Sequence, residues 1–111
     1  MLCIKEKNME IISNQIFENF DDVIVVPEGF ISTTWRNNAC PSICREIDAN
    51  TSVTIWIDYK NPELRETVGK RFIVSFETFD DGFTPMDEFD TLEEAVTKAN
   101  QIFEEYQNAA N

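Results

Sequence analysis

Leu92, Ala95, Val96, Ala99, Ile102, Phe103 and Tyr106 fall within an arc of about 120° when the carboxyl-terminal segment is wound at 100° per residue. A helix with one apolar stripe needs a surface to bury it against. The preceding chain supplies one: Val53, Ile55, Ile57 and Tyr59 alternate with Thr54, Trp56 and Asp58, and Phe72, Val74 and Phe76 alternate with Ile73, Ser75 and Glu77. Period-two alternation is the mark of strands with one face buried. The pairing of these patterns predicts an α+β fold in which the carboxyl-terminal helix lies across an antiparallel sheet of three to five strands. Thr91 and Glu94 have the spacing of a capping box, Glu93 and Glu94 sit where the helix dipole favours anions, and Glu94 with Lys98 forms a favourable i, i+4 pair.

The remaining elements follow from shorter signals. Met9, Ile12, Ile16 and Phe20 recur at helical spacing with Asn8 as a cap, which predicts a short amino-terminal helix over residues 8–20 packed on the sheet. Val23 to Val26 is a β-branched run stopped by Pro27 and Gly29, and Phe30 to Trp35 reads as a second strand. Asp48-Ala49-Asn50 is a turn between a strand over Ile43 to Ile47 and the one beginning near Val53. Asn61-Pro62-Glu63-Leu64 predicts a single helical turn in a wide hairpin, with Asn as cap and Pro at the first position. Trp56 and Ile73 face away from the main apolar row, so that face calls for a second layer or a partner. With 111 residues and no repeat or composition break, residues 1–111 are expected to form one domain.

Charge and composition then remove whole classes of function. The 21 acids outnumber the nine bases, giving a net charge of −12, which opposes direct nucleic-acid binding by charge attraction. No histidine is present, so the commonest general base and metal ligand are missing. Glycine occurs only at positions 29, 69 and 82, leaving no phosphate-cradling loop. Paired carboxylates remain as the one route to acid–base chemistry, and a non-enzyme is the expectation. The aromatics Trp35, Trp56 and Tyr59 have too few cations nearby (Arg36, Lys60, Lys70, Arg71) to serve as a stacking platform for single strands.

Cys3, Cys40 and Cys44 make an odd count, and no secretory signal or long apolar run is evident, so a reducing cytoplasmic location is expected and no membrane insertion. The Asn50-Thr51-Ser52 sequon is discounted accordingly. Cys40-Pro41-Ser42-Ile43-Cys44 is too poor in ligands for a structural zinc site, and inert thiols are the expectation. The run from Asp80 to Glu88 has neither the ligand alternation nor the sixth-position glycine of an EF-hand, so no metal or cofactor is expected.

The acids are unevenly spread. Residues 72–111 hold ten acids and one base, net −9, and Glu77, Asp80, Asp81, Asp87, Glu88, Asp90, Glu93 and Glu94 run without a Lys or Arg among them. Phe79, Phe83, Met86 and Phe89 are interleaved with them, as hydrophobic anchors are in a charged interface rim. These eight acids and Trp56 are the candidate partner-binding residues. The alternative is a solvated loop and helix start whose carboxylates serve only solubility.

Trp35-Arg36-Asn37-Asn38-Ala39-Cys40-Pro41-Ser42, Trp56-Ile57-Asp58-Tyr59 with Pro62, Arg65 and Glu66, and Arg71-Phe72 together resemble a pattern in a group of small phage and bacterial proteins. That group has no established activity and assigns no functional residue. In size and acidity the chain is also similar to phage anti-CRISPR and anti-restriction inhibitors and to immunity proteins that neutralise nucleases. This likeness implies an acidic, DNA-mimicking inhibitor that occupies the basic surface of a nucleic-acid-binding partner. The competing expectation is a small intracellular structural or interaction domain that pairs through a sheet edge or the Trp56 face.

Overall fold

The computed structural model describes residues 10–33, 40–66 and 68–109. Its centre is a five-stranded antiparallel meander, β3-β4-β5-β6-β7, in which each strand pairs with the next in sequence. β3 is Ile31–Ser32, β4 Ser42–Asp48, β5 Thr51–Ile57, β6 Phe72–Thr78 and β7 Gly82–Phe89. A separate two-stranded ribbon pairs β1, Ile11–Ile12, with β2, Ile24–Val25. The helix α1, Leu92–Ala109, follows β7 after a two-residue connection.

The strand registers decide which side chains share a face. Ile43, Ile55 and Val74 align across β4, β5 and β6, with Val53 and Phe76 in the next row on one side and Ile57 and Phe72 on the other. Ala95, Ala99 and Ile102 of α1 close over these rows, joined by Phe20, Ile24 and Phe30 from the amino-terminal segment. Small alanines let the helix backbone approach the sheet closely, and the larger side chains at its margins fill the gaps. Tyr106 stacks on Phe76 at 4.4 Å between centroids, and the Arg45 guanidinium sits over the Phe103 ring at 3.8 Å while donating to Asn100. Arg45 thus brings a charged head into the β4 helix-side row, and the aromatic face and amide hold it.

The helix cap forms as the spacing predicts. The Glu94 amide donates to Thr91 Oγ1 at 3.2 Å, and the Thr91 hydroxyl donates to Glu94 Oε1 at 2.9 Å. Glu94 therefore turns toward the cap, and no ion pair with Lys98 forms among the described residues. The turn at Asn61 is also as predicted: its side chain accepts from the Glu63 amide at 3.0 Å at the start of a 3-10 turn over Pro62–Leu64.

The amino-terminal helix is not there. Residues 8 and 9 lie outside the described residues, and Ile11–Ile12 is a strand followed by a single turn in which the Phe17 amide donates to the Ser13 carbonyl. Asn19 then takes a left-handed conformation at φ 70°, which ends any helical path, and Ile16 is left 57% exposed. A segment this short gains little from isolated helix formation, so the burial of Ile12 against Ile24 and the core wins. The run after it is a strand, Ile24–Val25, with Val23 and Val25 exposed and Ile24 and Val26 buried. Of the predicted Phe30 to Trp35 strand, Ile31–Ser32 forms, while Trp35 and the rest of residues 34–39 lie outside the described residues, as does Cys3. Among the described residues no helix is long and apolar enough to cross a membrane.

Candidate functional site

The run read as an acidic loop contains a strand. After β6 the chain turns through Phe79-Asp80-Asp81 and enters β7 with Gly82 at φ 70°, the left-handed position that a three-residue hairpin loop requires. Val74 pairs with Asp87 and Ser75 with Pro85, so Met86 is an extra residue in a bulge. This division sorts the eight candidate acids. Asp80 and Asp81 occupy the hairpin tip, whereas Asp87, Glu88, Asp90, Glu93 and Glu94 lie toward the other end of β7 and the start of α1. Six steps along the strand, from Asp81 to Asp87, put about 20 Å between the nearest members of the two groups.

Neither group is as the sequence alone would draw it. At the tip, the Phe79 amide donates to the Asn50 carbonyl at 2.9 Å, tying the β6–β7 turn to the β4–β5 turn. A shallow cleft there is lined by Glu46, Asp48, Asn50, Glu77 and Phe79, so the fold adds Glu46 and Asp48 to Glu77, Asp80 and Asp81. Glu77 accepts from the Ser52 hydroxyl at 3.2 Å, and the Asp81 amide donates to Thr78 Oγ1. Phe79 projects from this acidic end 84% exposed. At the other end, Glu88 accepts from the Lys70 amide at 3.0 Å and Asp90 lies 4.0 Å from Lys70 Nζ, so part of that charge is offset. Asp87 points to the helix side of the sheet and Glu88 to the opposite side.

Trp56 stands apart from both groups, on the face of the sheet that α1 does not cover. By register this face carries Ser42, Cys44, Thr54, Trp56, Ile73 and Ser75. Phe83 enters from β7 and meets Trp56 edge-to-face at 5.1 Å and 72°. Its register partner is Glu77, so it leans diagonally across the rows to do so, over Thr54 and Ser75. That explains why these two small polar residues are only 3% and 2% exposed without a helix above them. The Trp56–Phe83 pair separates two clefts. One, of about 230 Å³, is floored by Ser42, Cys44 and Thr54 and reaches Glu77. The other, of about 320 Å³, is walled by Trp56, Ile73, Phe83 and Pro85, with Cys40, Glu66 and Arg71 at its far end.

The polar groups around the larger cleft are engaged with the protein itself. Asp58 is buried and accepts from the amides of Tyr59 and Glu66 at 2.9 and 3.0 Å. Arg71 donates through Nε to the Asp58 carbonyl at 2.8 Å, and its Nη2 lies 3.0 Å from Asp22 Oδ2, an ion pair by distance without hydrogen-bond alignment. Burial, reinforced by Asp58 and Glu66, pushes the Cys40 thiol up to about 12, so it stays protonated and unreactive. Cys40 and Cys44 are both buried. Among the described residues no group of three Cys, Asp or Glu side chains is placed to hold a metal ion. No family, curated protein or solved structure matches the chain.

Proposed function

We propose that the chain is a non-catalytic acidic binding protein that docks on a basic surface of a nucleic-acid-binding partner and keeps nucleic acid from it. The observation that carries this reading is Phe79, almost fully exposed next to Asp80 and Asp81 in the hairpin turn and lining a cleft with Glu46, Asp48 and Glu77. Carboxylates alone at a hairpin tip serve solubility. An aromatic side chain held out among them does not, whereas an apolar anchor inside a charged rim is the composition of an interface core. The carboxylates take the role of phosphates, and the overall −12 charge steers a cationic surface toward the tip.

The test is association kinetics. The protein is immobilised and a host extract is passed over it, then the retained basic protein is purified and its binding rate measured. The rate should fall steeply between about 50 and 500 mM salt. Replacing Asp80, Asp81, Asp87 and Glu88 by their amides should slow association more than ten-fold with the melting temperature nearly unchanged, and Phe79→Ser should speed dissociation. An unchanged association rate for the quadruple variant rules the reading out.

A second reading draws on the edge strand. Pro85, the Met86 bulge and the charged pair Asp87-Glu88 all interrupt the outer side of β7, and these are devices that stop sheets pairing edge to edge. On this reading the acids of β7 guard against association, and the domain is a small structural one with its acidity serving solubility.

A further inference from the structure

We draw no further inference here: the strongest candidate, the cleft at the β6–β7 hairpin tip lined by Glu46, Asp48, Glu77 and Phe79, belongs to the site already described, and nothing among the described residues shows which ligand its carboxylates would hold.

Discussion

The same three central strands present two unlike faces. On the helix side, Ile43, Val53, Ile55, Ile57 and Val74 are all inaccessible to solvent, and the alanines of α1 lie directly on them. On the other side the equivalent rows hold Ser42, Cys44, Thr54 and Ser75, roofed in part by one diagonal aromatic pair. The first face is filled with bulky apolar side chains, its Arg45 held by Phe103 and Asn100; the second has small side chains and leaves clefts. A sheet face that folding alone had to stabilise would be filled as the first one is. The difference places most of the apolar packing on the helix side.

The contrast is sharpest for neighbours in one strand. Ile55→Ala, which removes a side chain wedged between β4, β6 and α1, should lower the unfolding free energy by about 3 kcal/mol. Thr54→Ala, one residue away and equally buried, should cost about 1 kcal/mol, because less volume is vacated beneath a movable ring. Urea denaturation measures both, and similar losses would abolish the distinction between the faces.

Phe83→Ala tests the roof itself. Loss of its edge-to-face contact and partial burial should cost about 1 kcal/mol. It should also raise hydrogen exchange at the amides of Thr54 and Ser75 while leaving Ile55 and Val74 protected. Uniform acceleration across both sets of amides would mean that the faces are coupled.

The smallest effect belongs to the loop that links the amino-terminal segment to the sheet end. Partial burial works against the Asp21 carboxylate, but the amides of Lys60 and Asn61, then Arg71, together hold its pKa below the ordinary 3.8. Because the folded value is the lower one, this stabilisation is full above the ordinary aspartate range and fades as pH falls through it. Asp21→Ala should therefore cost under about 1 kcal/mol at neutral pH, water competing at so open a site, and the gap should close on acidification. A gap that widened in acid would contradict the assignment.

Periodicity was informative where one face of an element is buried and the other is not. The β5 and β6 strands, the Asn61 turn and α1 with its Thr91 cap were all legible for that reason, and so was the exposure problem posed by Trp56 and Ile73. The amino-terminal segment misled because Ile12, Ile16 and Phe20 fit a helical spacing although Ile12 is buried from a strand and Ile16 is not buried at all. β7 was hidden by the Met86 bulge and Pro85, which break its alternation, and by its mostly polar, exposed residues. Asp81-Gly82 was the available signal, since a glycine after two aspartates is a hairpin turn in waiting. Glu46 and Asp48 were unreadable as part of the acidic end because only the tie between Phe79 and Asn50 brings the two turns together.

The meander has a consequence for how the chain comes off the ribosome. From β4 onward each strand can zip to its predecessor as it emerges, yet the helix that covers Val53, Ile55 and Val74 comes after all of them. Until residues 92–109 are synthesised, a nascent sheet with one greasy side faces the cell. A stop codon placed just after Phe89 would make that state permanent, yielding a product prone to clump rather than a smaller working domain.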